Sequence, residues 1–341
     1  MRHAVLSHVR LIAVCLVATL ATPAQTFEIE TEANFAGPAA IAELRILSTA
    51  DIDQFLPIIE DFIADNPQVA VDYVVATSTE VMKGAIEDDT GFDLVISSAM
   101  DLQTKLTNDG YGQPYISPAT ARVPGWGKWR DTVYAFTQEP AAILISPAAF
   151  EGLPVPHTRQ ELIDVLRDNA ERFDGRVGTY DIRHSGLGYL FATQDSRTSE
   201  TFWRLSEVMG SLNARLYCCS ARMIADIHSG RLAVAYNVLS SYVPQDDPSV
   251  QVILPQDYTT VMLRSAIILR EAPNPQLARA FLDHLLRAAW SEAAFPFPTG
   301  PAVDEPAEAL RPIRLGPGLL VYLDRLKRAR FLQEWQDAVV Q

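Results

Sequence analysis

The chain has 341 residues, 48% apolar and 21% charged, with 28 Lys and Arg against 42 Asp and Glu and a formal charge of −14. That length exceeds what a single hydrophobic core normally serves and predicts two lobes, while the apolar fraction excludes a disordered chain. The acidic balance counts against nucleic acid or an anionic membrane as the main partner, although one pocket on an acidic protein can be locally positive.

Residues 1–24 read as a cleavable secretory signal. Arg2 and Arg10 flank the start, Leu11 to Leu20 form a short apolar run, and Thr22-Pro23-Ala24 offers small residues for cleavage. The run is too short to span a bilayer comfortably, and Ala13-Val14 ahead of Cys15 is a poor lipobox. The expectation is a soluble protein exported to the periplasm. Three cysteines are too few for a disulfide scaffold.

A polar leader follows over 25–42. Leu44 to Leu47 is a short strand ending in Ser48-Thr49, and Ile52, Phe55, Leu56, Ile59, Phe62 and Ile63 recur at helical spacing until Asn66-Pro67 stops them. Val69 to Val75 alternates as a strand, and Thr77-Ser78-Thr79 opens a helix. Asp93 to Ile96 is a strand running into Ser97-Ser98, and a helix from about Asp101 to Asn108 ends at Gly110. This β-α-β-α-β order predicts a mostly parallel sheet covered on both faces by helices.

A second cycle starts near Tyr134. Thr158 and Glu161 make a capping box for a helix running to Phe173, and Val177 to Tyr180 is a strand. Asp181 to Gly186 is a loop into a helix, Thr198 to Leu212 is amphipathic, and Ser220 is placed to cap a helix that Gly230 ends. Leu232 to Tyr236 is a buried strand. Asn274-Pro275 starts a helix through Ala289, and Leu319 to Val339 is a final amphipathic helix.

Enzyme signatures do not emerge. There is no Gly-x-Ser-x-Gly elbow, no phosphate-binding Walker loop and no His-Glu-x-x-His pair. No cofactor or metal site is expected, and the protein reads as a binder rather than an enzyme. What recurs is a set of small hydroxyl residues where strands hand over to helices: Ser48-Thr49, Thr77-Ser78-Thr79, Ser97-Ser98 and His184-Ser185. Such junctions line one edge of an open parallel sheet, where unpaired N–H groups and helix dipoles favour anionic ligands. Plain helix capping explains some of these hydroxyls, but doubled ones exceed what caps require. Arg183 is a candidate for a ligand carboxylate or phosphate, and Ser220 and Tyr242 join the set. Trp126 and Trp129 either line a cleft or pack between lobes. Adjacent Cys218-Cys219 form either a vicinal disulfide or buried thiols.

Three stretches carry a resemblance: Ser97 to Gln103, Asn108 to Tyr111, and Gly230 to Tyr242; the run Ala272 to Asp283 is typical as well. They resemble the solute-binding proteins of ABC importers, nearest to the type II, ferric-iron-binding-like branch. The resemblance implies an α/β protein of two lobes joined by two crossing strands. Lobe one would hold 43–138 plus 243–341 and lobe two 139–242, working as a hinged trap. It also implies a small-molecule solute, an inner-membrane ABC permease as partner, and a monomer. Iron-binding members hold the metal chiefly through an adjacent tyrosine pair. Here Ser240-Ser241-Tyr242 supplies one tyrosine, and Ser48-Thr49 stands where a histidine would help. The reading is therefore a carrier of a small anionic solute with carboxylate, phosphate or phosphonate oxygens. Ferric iron, or service as a sensory co-receptor for a membrane histidine kinase, are the alternatives.

Overall fold

Strand and helix alternate along the first third of the chain because apolar period-two runs are separated by capped, apolar-faced helices. The computed structural model describes residues 27–87, 90–244, 247–290 and 309–341, so the signal reading of 1–24 lies outside the described residues. The elements begin with β1 (Thr31–Ala36), β2 (Ala42–Ser48), α1 (Ile52–Asp65), β3 (Val69–Val75), α2 (Ser78–Ile86), β4 (Leu94–Ser97) and α3 (Met100–Asp109). Gly110, at φ +82°, closes α3 in the left-handed conformation that a Cβ would disfavour. Then come α4 (Pro118–Arg122), β5 (Lys128–Trp129) and β6 (Val133–Ala135).

The chain next enters β7 (Glu139–Ile145), α5 (Arg159–Asp168), α6 (Ala170–Phe173), β8 (Val177–Tyr180), α7 (Gly186–Thr198), α8 (Thr201–Ser211), β9 (Arg215–Tyr217), α9 (Ser220–His228) and β10 (Val234–Leu239). It ends with β11 (Gln251–Ile253), β12 (Thr259–Met262), β13 (Ser265–Ile268), α10 (Pro275–Ala289), β14 (Leu310–Pro312) and α11 (Arg325–Val339).

Two seven-stranded sheets result. The first runs β1-β3-β2-β4-β13-β6-β5; the second runs β14-β12-β7-β10-β8-β9, with β11 also paired to β7. The β2, β3 and β4 strands are mutually parallel through β2, with Ser48 opposite Ile96 and Val75. In the first lobe α1 and α10 press Phe55, Phe62, Phe281 and Leu285 onto Tyr73, Val71 and Ile268. In the second, α5 and α8 bury Leu162, Leu166, Leu205 and Met209 against Ile143, Val177 and Val234.

Several expectations are corrected. The leader is not featureless: β1 lies within 25–42 and adds an antiparallel edge to β3, its inward side reaching only half-burial at Ala33 and Phe35. The helix expected from Thr158 to Phe173 breaks at Asn169, whose side chain donates to the Val165 carbonyl. The last helix restarts at α11, where the Asp324 carboxylate caps Lys327 N–H after a 3₁₀ stretch, Pro317–Leu323.

The lobe boundary also shifts. Ser240–Tyr242 forms a 3₁₀ turn, and β11, β12 and β14 all join the second sheet. The crossings are Phe136 to Thr137 on the way out and Leu263 to Arg264 on the way back, so most of 243–262 and the C-terminal strand sit with lobe two. The physical reason is pairing: β7 is long enough to take β12 at Glu139–Pro140 and β11 at Ile143–Ile145.

The C-terminal segment straps the lobes together. Ile313 N–H donates to Val261 in the second lobe and Leu315 N–H to Trp126 in the first, and Pro317–Leu323 packs on α3. Beneath the strap Asp101 is buried, its carboxylate accepting the Leu102 N–H at 2.9 Å. Burial raises its pKa from 3.8 to about 7, against the opposing backbone bond from Leu102 and the charge of Arg328. A carboxyl with a raised folded-state pKa contributes fully below its unfolded value and loses that contribution as pH climbs toward the folded one. Asp101→Asn cannot ionise. We expect its stability relative to the parent, from urea titrations, to grow between about pH 4 and pH 8 by at most about 4 kcal/mol. A pH-independent difference would show that this carboxyl is solvated.

Candidate ligand-binding site between the lobes

Where the two sheets face each other they enclose a cavity of about 80 Å³. Glu30, Thr49, Asp51, Thr77, Ser78 and Ser98 line it from the first lobe, and Tyr180, Ser185, Cys218, Cys219, Ser220 and Tyr242 from the second. Arg264, on the return crossing, closes it from below. Five helices begin at its wall: α1 after Asp51, α2 after Thr77, α3 just beyond Ser98, α7 after Ser185 and α9 after Cys219. The order of strand then helix in both lobes dictates this, since every helix leaving the same sheet edge starts at that edge. Their unpaired N–H groups and positive dipole ends make the cavity receptive to an anion.

Seven of the twelve residues singled out from the sequence line the cavity: Thr49, Thr77, Ser78, Ser98, Ser185, Ser220 and Tyr242. The other five have different work. Ser48 is fully buried and accepts from Tyr73 Oη at 2.7 Å and Ala50 N–H at 3.0 Å. Ser97 accepts the Ala99 N–H. Thr79 Oγ1 donates to the His184 carbonyl at 3.4 Å across the lobes. Arg183 is held by Asp181 through Nε at 2.8 Å and Nη2 at 2.6 Å, and exposed His184 offers the cavity no ring contact. Trp126 likewise stays out of the cavity, stacked edge-on against Trp290.

Among the hydroxyls that do line the cavity, some are already engaged. Thr77 caps Glu80 N–H, and Ser185 caps Gly188 N–H at 3.2 Å. Ser220 does not cap its helix; it bonds Tyr180 Oη at 2.6 Å and accepts Leu239 N–H at 3.2 Å, tying β8, α9 and β10 together. Thr49 Oγ1 accepts from Ser98 N–H at 3.1 Å and from Arg264 Nη1 at 3.3 Å.

Sequence reasoning missed the charged groups. Arg264 Nε and Nη2 reach Glu139 Oε1 and Oε2 at 3.0 and 3.2 Å, and both side chains are almost wholly buried. Thr137 and Ser241 hydroxyls also donate to Glu139. Burial, and then the mutual repulsion of Glu30 and Asp51, raises the Glu30 pKa; burial likewise raises that of Asp51, against the pull of Arg264. Burial also pushes the Tyr242 phenol up to about 12 despite Arg264. Nothing local in the sequence marks Glu30, Tyr180 or Arg264, because sheet pairing delivers them from distant segments.

The lobes are in contact around the cavity. A Cβ built on Gly186 would lie 2.8 Å from the Ser78 Cβ and 3.1 Å from Leu102 Cδ1. Glycine therefore lets α7 approach α2 and α3, and Gly186→Ala must separate the lobes or displace a rigid backbone. We expect the variant to keep its thermal unfolding profile and to show a larger radius of gyration by small-angle scattering; an unchanged radius would mean the contact yields locally. Arg264→Met should cost about 3–5 kcal/mol in chemical denaturation by leaving Glu139 buried without its partner. Adding Glu139→Gln should restore part of that loss.

Two α/β lobes, two crossing strands and a cavity built from both lobes define the hinged solute-trap class. A family model described as a bacterial extracellular solute-binding protein matches residues 44–294, and the chain belongs to that family. The substrate-binding protein of an ABC transporter from Agrobacterium tumefaciens is 34% identical; the alignment covers 91% of this chain and 98% of that one, with a TM-score of 0.82. The fold is shared with AfuA of Actinobacillus pleuropneumoniae, solved with exogenous fructose-6-phosphate bound (15% identity, 88% and 99% coverage, TM-score 0.70). It is shared too with iron-bound HitA of Pseudomonas aeruginosa (14%, 87% and 99%, TM-score 0.62). Comparison with the curated proteins finds no match.

Proposed function

We propose that this protein captures a small anionic solute in the periplasm and hands it to an inner-membrane ABC permease. The observation that carries the reading is the convergence of five helix N-termini, three from one lobe and two from the other, on one cavity floored by Arg264. Carboxylate, phosphate or phosphonate oxygens would accept from those N–H groups and from Ser98 and Ser78. Burial raises the pKa of both Glu30 and Asp51, and Arg264 places a positive charge beside Asp51. Delivery to a permease is supported by the Agrobacterium relative, itself described as part of an ABC transporter.

A ferric reading would draw on Glu30, Asp51, Tyr180 and Tyr242, which share the cavity. It is the weaker one. Ferric iron favours several anionic oxygens, whereas Tyr180 is already bonded to Ser220 and Tyr242 has no tyrosine beside it in sequence.

Native mass spectrometry of protein taken from its own periplasm, with metal analysis of the same sample, tests both. A bound organic or inorganic anion supports the proposal; stoichiometric iron overturns it in favour of the second reading. Ser98→Ala with Ser185→Ala should weaken retention of that anion by roughly tenfold per lost hydrogen bond. Loss of the Ser185 cap should add about 1 kcal/mol of destabilisation without unfolding the chain. Unchanged retention would remove both hydroxyls from the site.

A further inference from the structure

Cys218 and Cys219 are adjacent in sequence, both line the cavity, and their sulfurs lie 2.8 Å apart at the N-terminus of α9. Both are free thiols of intermediate exposure. We infer that they are a reversible thiol–disulfide pair built into the wall of the binding cavity, so that oxidation to a vicinal disulfide modifies the site itself. The inference uses the cavity of the proposed function but not the identity of the solute, and its readouts contain none.

Three observations support it. First, the two sulfurs are already in contact, so ring closure starts from touching side chains and is completed by adjustment of the Cys218-Cys219 turn. Second, the pair is polarised. The hydrogen bond from Cys219 holds the Cys218 thiol well below the usual range, with help from the charge of Arg222, while the same contact and burial hold Cys219 high. In such a pair one sulfur attacks as the thiolate and its neighbour resolves. Third, adjacent residues on a trans peptide have Cα atoms about 3.8 Å apart, inside the usual spacing for a disulfide, which makes the bond readily reducible. The extracellular setting of the family admits such chemistry.

The oxidant is an external disulfide, either glutathione disulfide or the disulfide of a thiol oxidoreductase. One of the two cysteines, as its thiolate, attacks a sulfur of that disulfide, forming a mixed disulfide and releasing one thiolate. The other gives up its proton and attacks the protein sulfur of that mixed disulfide, releasing the second. Two electrons and two protons leave the pair, and the external disulfide departs as two thiols. The next residue, Ser220, anchors Tyr180 and Leu239, so a changed Cys218-Cys219 turn acts directly on the wall formed by β8 and β10.

Trypsin cleavage after Arg215 and Arg222 leaves both cysteines in one peptide, Leu216 to Arg222. After incubation of the whole protein with glutathione disulfide and then an alkylating agent, that peptide should appear unalkylated and lighter than the dithiol by about 2 Da, reversibly with dithiothreitol. A doubly alkylated peptide, or one that retains glutathione, would overturn the pairing. Hydrogen exchange should then differ between the oxidised and reduced protein in peptides covering 215–223 and 234–242, with the first sheet unchanged. Identical exchange would overturn the coupling to the cavity. A Cys218→Ser, Cys219→Ser double variant should lose the redox-dependent difference, and the wild-type comparison stands whether or not that variant folds.

Discussion

The buried pair of Glu139 and Arg264 is the constraint around which the molecule is organised. Glu139 is the first residue of β7, just after the chain has left the first lobe; Arg264 sits between β12 and β13, where it comes back. One ion pair therefore clasps both crossings at the hinge. Its polar atoms are satisfied by Thr137, Ser241 and Thr49, which belong to the outgoing crossing, the turn after β10 and the junction after β2. A buried pair adds little net stability over an apolar substitute, but removal of one partner is costly, so its role is to fix geometry. It holds a guanidinium under the cavity in a place where free rotation of the crossings would otherwise leave no fixed charge.

That fixed floor gives the trap its logic. A solute stabilises closure only through interactions that exist in the closed form and not in the open one. The helix N-termini are divided between lobes, with α1, α2 and α3 on one side and α7 and α9 on the other, so neither lobe alone presents the full set. Gly186 permits α7 to approach α2 and α3, and Thr79 Oγ1 donates to the His184 carbonyl across the lobes. Against this, the strap through Leu315 and Pro317–Leu323 spans the lobes on another side and limits how far they can part.

Local signals made much of this legible. The Asn66-Pro67 stop, the Gly110 terminus and the Asn274-Pro275 start fix α1, α3 and α10 because caps and breakers act within one turn. The junction hydroxyls followed from the same logic, since their place at a sheet edge depends only on strand–helix order. The lobe boundary did not, because β11, β12 and β14 are three or four residues long and earn their sheet only by pairing with distant partners. β1 was hidden for another reason: its inward side offers only Ala33 and Phe35, both half-buried, too short an alternation to mark a strand. Arg264 and Glu139 look like ordinary charges until register brings them together across 125 positions.

The division of labour among the hydroxyls narrows where solute recognition can reside. Ser48, Ser97, Thr77 and Ser185 each satisfy a backbone donor or a neighbouring phenol, as capping and turn chemistry require. Ser220 is spent on Tyr180 and the Leu239 N–H. An engaged oxygen can still meet a solute, but its orientation is set by the fold and would be the same for any anion. The helix ends are the part of the cavity wall that strand–helix order alone sets. The cavity wall also carries groups that do not serve as caps: Arg264, Glu30, Asp51 and the two sulfurs of Cys218 and Cys219. Burial raises the pKa of Glu30 and of Asp51, with Asp51 adding to the shift at Glu30 and Arg264 opposing the shift at Asp51, so the charges along this wall are linked.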